Sequence, residues 1–231
     1  MSTMFSAIKQ RFLRFFSLAI IVLPSWLKIS IYRRIYGYKI GRHVKIGLSW
    51  IFVGELEIAD HVTIGHFCRF KNVPRVFIGD FAYIANGNTF TSTAEFTSPD
   101  GRRRRGNCPE LIIGRHCGIS LFHYFDVQDR FTIGAFTTIG GIGSVFFTHY
   151  IDFIASTEST KAIHIGDYCM LGSSVRFIPG ARVANGCVVG MGAVVTRSFE
   201  EEYCFIGGNP ASVIRRLSPD AAYFTRTTGY L

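Results

Sequence analysis

An aliphatic or Phe residue returns every six positions from residue 40 onward, often followed by Gly, with a small or β-branched residue four places later. Ile40-Gly41, Ile64-Gly65, Ile78-Gly79, Ile113-Gly114, Ile133-Gly134, Ile165-Gly166 and Leu171-Gly172 carry it most clearly. A short fixed period marks a repeat architecture, in which each unit buries its apolar face only against its neighbours. Anchored on Ile, Leu, Val or Phe, hexads begin at 40, 46, 52, 58, 64, 70, 78, 84, 90, 113, 119, 125, 133, 139, 145, 165, 171, 177, 183, 189 and 195. The phase slips only by 2, 17, 2 and 14 residues, before positions 78, 113, 133 and 165, and each slip follows a multiple of three hexads. Three six-residue sides then make one triangular coil, about seven coils stack, and all four insertions leave by one corner, where they disturb stacking least.

At 48% hydrophobic and 18% charged, the 231 residues exclude general disorder and fit one large domain with appendages. The net charge of +9 favours anionic partners. Six Cys occur without a C-x-x-C or zinc spacing, and Cys68, Cys117, Cys169 and Cys187 fall four residues after an anchor, in the slot also filled by Val62, Ala82, Val175, Ala181 and Ala193. They read as small buried hydrophobes in a reducing compartment. The apolar N-terminal stretch Phe15 to Leu27 is bounded by Arg14 and Lys28 and broken by Pro24, too short for the ~20 apolar residues of a membrane span.

The segment Ile163-His164-Ile165-Gly166-Asp167-Tyr168-Cys169-Met170-Leu171-Gly172-Ser173-Ser174-Val175-Arg176-Phe177-Ile178-Pro179-Gly180 is the most diagnostic. It continues through Val189-Gly190-Met191-Gly192-Ala193-Val194-Val195-Thr196-Arg197 to Gly207-Gly208-Asn209-Pro210-Ala211. Over residues 40 to 210 the chain resembles the hexapeptide-repeat acyltransferases, closest to the sugar and polysaccharide O-acetyltransferases. That resemblance implies an all-β, left-handed parallel β-helix, a homotrimer with active sites between subunits, and acetyl-CoA as co-substrate without a metal. Gly172 and Ser173, then Gly190 and Gly192, recur about one coil apart, so small residues stack and leave a shallow slot. By resemblance the slot takes the pantetheine arm, with Thr196, Arg197 and Arg215 near the phosphates. Met170 stands where the family often has Trp.

Acyl transfer to a hydroxyl needs a base and a donor for the oxyanion. Of seven His, His123 and His149 occupy the slot four residues after an anchor, where imidazole is too large, so each distorts the coil or turns outward. His149, in Thr148-His149-Tyr150-Ile151-Asp152 at the corner where loops leave, resembles the family's catalytic His and is the candidate general base, with Asp152 orienting its ring. His123, in Ser120-Leu121-Phe122-His123-Tyr124-Phe125-Asp126, is the candidate acceptor-binding residue, with Ser120 where sugar acetyltransferases carry Asn. His43, His61, His66, His116 and His164 fall beside turns and read as exposed. The closely spaced His pair of the metal-dependent carbonic anhydrases of this fold does not follow His149.

Three parts result: a basic, apolar N-terminal helical segment over 1–38, a β-helix over 39–208 with loops 96–112 and 150–164, and a C-terminal helical tail over 209–231. Apolar residues at helical spacing with basic flanks read as an interfacial membrane helix or as a cap on the open end of the β-helix, with Pro24 breaking the helix near Leu23. Ala211 to Leu217 has helix-forming composition, and Ser218-Pro219-Asp220 reads as an N-cap followed by Pro. Arg102, Arg103, Arg104 and Arg105 are either a solvated run or a clamp for diphosphate, acidic sugar or anionic lipid on the acceptor. No nucleic-acid motif accompanies them. The expected activity is acetyl-CoA-dependent O-acetylation of a sugar hydroxyl in a surface polysaccharide or lipid-linked glycan, in the cytoplasm or peripherally on the cytoplasmic face of the membrane. N-acylation of an amino sugar or amine, and a non-catalytic scaffold at a membrane, are the alternatives.

Overall fold

The computed structural model describes residues 2–93 and 108–229, with side chains from residue 11 onward. Successive short strands pass in turn to three parallel sheets, so that the chain winds a three-sided β-helix of seven coils. On the first sheet Ile40, Ile58, Ile78, Ile113, Ile133, Ile165 and Val183 stack in register. On the second the column is Ile46, Ile64, Ile84, Ile119, Ile139, Leu171, Val189 and Ile206. On the third it is Ile51, Phe70, Phe90, Phe125, Phe146, Phe177 and Val195. These side chains are buried and form the core. Each of the four phase slips falls where the chain leaves the third sheet and returns on the first, as the hexad count implies.

Two anchors differ from the hexad count: Ile51 faces inward rather than Phe52, and Phe146 rather than Val145. Trp50 points outward and donates its indole N–H to Ser17 Oγ at 2.7 Å, which turns Ile51 in. Between Ile139 and Phe146 the coil carries one extra residue, seen as a register shift where Ile119 pairs Ile139 but Leu121 pairs Ile142. The shift places the Phe146 ring on Phe125, centroids 4.7 Å apart and nearly parallel.

Helices α1 (Ser2–Ile20) and α2 (Ser25–Ile35) meet at Pro24, as expected, and close the first-coil end. Ile20 and Tyr32 are fully buried, and Phe16, Leu23 and Ile29 pack on the same core. Lys28 Nζ donates to the Gly47 carbonyl, and burial lowers its pKa.

At the other end the helical tail expected over 209–231 is not formed. Ala211–Arg216 is a strand, antiparallel to Cys204–Gly208. The edge of the second sheet offers unpaired backbone groups there, and pairing with that edge overrides the local helical preference. The single turn α3 (Ala222–Thr225) starts beyond the expected cap. The thiols of Cys117 and Cys169 are buried and pushed up to about 12, as suits small hydrophobes. His43, His61 and His116 are more than exposed turn residues: with Phe81, Phe136 and Tyr168 they form a ring ladder along one corner, adjacent centroids 4.7 to 4.9 Å apart. All six hold a positive φ, the corner's sharp turn, and the stacking offsets that strain.

Candidate active site

The aromatic column fixes Phe146, and the chain then leaves the prism as an arm. His149–Asp152 and Thr157–Thr160 pair antiparallel as a hairpin, with His149 opposite Thr160. Because Phe146 is the anchor, Thr148 takes the inward, fully buried place and His149 faces out at the root of the arm, its side chain 33% exposed.

Directly beneath, on the preceding coil, lies Asp126, whose carboxylate is 3% exposed. Its Oδ2 stands 2.8 Å from His149 Nδ1 and accepts the Thr148 backbone N–H at 3.1 Å. The Thr148 hydroxyl donates to Asp126 and accepts the N–H groups of Gln128 and Asp129. An ionised carboxylate only accepts, so Nδ1 carries the imidazole proton and the Nε2 lone pair is left to take one. Asp129 Oδ2 accepts from Thr160 Oγ1 at 2.8 Å and ties the returning strand of the arm to the prism.

The orienting carboxylate is therefore Asp126 and not Asp152. Asp152 Oδ1 accepts the N–H groups of Ile154 and Ala155 and closes the arm's turn. Asp126 could have been found by counting: it sits one coil before Phe147, its register partner, and a carboxylate stacked under a candidate base is the signal.

His123 does not turn outward. Its ring is 1% exposed, in the interior at the corner between the second and third sheets. The coil above accommodates it with its extra residue, which brings the Ser144 N–H to His123 Nδ1 at 3.0 Å. Nε2 then carries the proton without a partner, and burial lowers the pKa to about 4. Such a ring is a neutral core residue and offers an acceptor nothing. Ser120 is half-buried on the same coil and lends its carbonyl to Asn88. The unfolded chain binds the His123 proton near pH 6.5 and the folded one only near 4, so stability falls as pH drops through that window. The loss between pH 7 and pH 4 from this group is roughly 3 kcal/mol. Urea melts of the wild type and His123→Asn across that range check it: the variant's stability should lose this share of its pH dependence.

Gly172 and Ser173, with Gly190 and Gly192 a coil later, lie between the second and third sheets, along a different edge of the prism from His149. A Cβ on Gly172 would stand 2.8 Å from Met191 N, so bare backbone is needed for the coils to stack, while Gly192 holds φ +71° with open space beside it. Ser173 Oγ is tied to Ile142, accepting its N–H at 3.0 Å and donating to its carbonyl at 2.9 Å. Arg215, on the terminal hairpin, lies over the Phe205 ring, against which Gly190 also packs. Thr196 and Arg197 follow the last strand of the third sheet, where Arg197 covers Phe199. Arg102, Arg103, Arg104 and Arg105 lie outside the described residues.

No group of three or more His, Cys, Asp or Glu side chains suited to a metal occurs among the described residues. A concavity of about 740 Å³ beside Tyr36, Lys39, Glu55, Arg75 and Glu110 lies on the outer face of the first sheet and contains no expected site residue.

Residues 162–197 match the bacterial transferase hexapeptide family, described as six repeats, over the coils that carry these glycines. The chain is similar to the hexapeptide-repeat acyltransferases. Among similar proteins, a chloramphenicol acetyltransferase of Escherichia coli is 27% identical over 164 residues, spanning 62% of this chain and 68% of that protein. A putative acetyltransferase of Bacillus subtilis, YvoF, is 25% identical over 106 residues, 45% of this chain and 59% of its own length. In structure the polySia-specific acetyltransferase NeuO shares the fold at 18% identity, with a TM-score of 0.52 over 78% of this chain and 82% of that one. Acyltransferases of this repeat supply the reaction class within which Asp126 and His149 are to be read.

Proposed function

We propose that this chain transfers the acetyl group of acetyl-CoA to a hydroxyl of a sugar or glycan. The Asp126–His149 pair, one carboxylate beneath one outward imidazole at the root of an arm, carries the reading. Nε2 removes the acceptor O–H proton as the oxygen attacks the thioester carbonyl. The C–S bond then breaks, and the imidazolium returns its proton to the departing thiolate. Asp126 holds the ring in the tautomer this needs and steadies its positive charge. A backbone N–H of a neighbouring coil serves the oxyanion. Acetyl-CoA, when bound, supplies the activated acyl group. Gly172, Ser173, Gly190 and Gly192 leave the shallow slot for its pantetheine arm, with Arg215, Thr196 and Arg197 for its phosphates.

The slot and His149 lie on different edges of one prism, so a complete site takes its two halves from adjacent subunits. This supports a homotrimer, the closed assembly in which every copy contributes the same two halves. The cytoplasm, where acetyl-CoA is made and used, is the compartment that fits.

The relatives called chloramphenicol acetyltransferases favour a second acceptor, chloramphenicol itself. Release of CoA thiol, measured with glycan hydroxyl acceptors, amino sugars and chloramphenicol in parallel, separates the readings. Turnover with glycan hydroxyls at least tenfold above the others is expected. Preference for amino sugars or for chloramphenicol would replace the acceptor class, and no thiol release with any acceptor would remove the catalytic reading.

A further inference from the structure

The first 54 residues hold nine Lys and Arg and no Asp or Glu, while residues 55–231 hold sixteen of each sign. An excess of +9 is thus carried by the segment that forms the end α1 and α2 close, where Lys39 and Arg42 pair with Glu57 and Asp60 of the next coil and Lys28 is buried. On the inner side of these helices Phe16, Ile20 and Leu23 pack on the core, and Ser17 accepts the Trp50 indole N–H. The capping role is fulfilled by that side alone.

The other side is left bare. Phe12, Phe15, Val22 and Trp26 are 68%, 73%, 75% and 72% exposed, and Leu18 is exposed among them. Phe12, Phe15 and Leu18 follow at three-residue spacing along the outward side of α1, Val22 and Trp26 stand exposed on either side of the break at Pro24, and Arg11 and Arg14 line a groove with Phe15, Leu18 and Trp50. No helix among the described residues is long and apolar enough to cross a membrane. Large apolar rings beside Arg11 and Arg14 suit the headgroup region of a bilayer, where rings bury among acyl chains and guanidinium groups meet phosphates.

We propose that this end of the prism docks peripherally on an anionic lipid bilayer. Phe12, Phe15, Leu18, Val22 and Trp26 enter the interface, and Arg11 and Arg14 meet the lipid phosphates. The core-facing side of α1 and α2 stays where it is, so docking needs no unfolding of the cap. The proposal rests on the charge distribution and the exposed stripe, and it is independent of the acyl-transfer reading.

The test uses the full chain and vesicles of phosphatidylcholine, alone or doped with phosphatidylglycerol. Co-flotation with the doped vesicles and little with the neutral ones is expected, weakening as salt rises. Brominated lipid should quench the fluorescence of Trp26, and the quenching should vanish in Trp26→Phe, which retains Trp50. Arg11→Ser with Arg14→Ser should lower partitioning by about tenfold or more, and Phe12→Ser with Phe15→Ser by about as much. Arg11, Phe12 and Phe15 are exposed and Arg14 is only half-buried, so the melting temperature should hold. Absence of flotation, equal binding to neutral vesicles, or quenching that survives in Trp26→Phe would overturn the proposal. So would variants that change the oligomeric mass in light scattering and leave flotation untouched, because the stripe would then be covered by a second copy. The wild-type comparison between the two lipids decides the matter even if a variant folds poorly.

Discussion

Replacing His149 with Ala should lower kcat by about 100-fold or more and leave the affinity for acetyl-CoA unchanged, the effect of losing a general base. The imidazole stands at the root of an arm, held by one hydrogen bond to Asp126, and nothing in the core depends on its ring. The proposed CoA slot lies along another edge and should not register the change. Asp126→Asn is the companion test. An amide can present its N–H groups to Nδ1, which would move the ring proton to Nε2 and close the lone pair that accepts the hydroxyl proton. A fall of about 100-fold in kcat is expected there too, and the double variant should be little worse than either single one, because the two residues act as a unit. Isothermal titration with CoA and steady-state kinetics measure both halves of the prediction. Near-normal turnover in His149→Ala would remove it as the base, and a fully additive double variant would break the pairing.

The coil was legible in the sequence because each column repeats one kind of side chain: seven aliphatic residues on the first sheet and a run of Phe on the third. The shared corner was legible for the same reason, since an insertion elsewhere would have broken the count of three. What the count missed is what one residue can change. The extra residue between Ile139 and Phe146 moves Thr148 inward, turns His149 out and makes room for His123 inside. Asp126 was hidden because its partner lies 23 positions later, and only the length of the coil brings them together. Asp152 is near His149 in sequence, yet its carboxylate serves the turn of the arm. The terminal strand escaped because its composition favours a helix, while the open edge of the second sheet decides otherwise. The N-terminal helices show an amphipathic pattern that fits a cap and a membrane equally, and the structure shows both sides, one used and one bare.

Phe125→Ala should cost about 3 to 5 kcal/mol of stability. Its ring is fully buried between Phe90 and Phe146, with centroids 4.5 and 4.7 Å away, and it meets the edge of Phe131 at 5.4 Å. Each stacked or edge-on aromatic pair adds about 0.5 to 1.5 kcal/mol beyond the area it buries, and three such pairs end together when this ring is removed. The coils above and below are held apart by strand pairing and cannot collapse into the space, so the cavity remains. In a stack where each coil leans only on its neighbours, the loss falls on the contacts of the fourth coil with the third and the fifth. The second of these is where Asp126 reaches His149. Urea unfolding should therefore show a lower midpoint, with catalysis failing before the fold does as denaturant rises. Phe67→Ala is the control: its ring is exposed on the prism surface, and a change within about 0.5 kcal/mol is expected. A Phe125→Ala protein within about 1 kcal/mol of the wild type would mean that backbone pairing, and not the ring column, holds these coils in register.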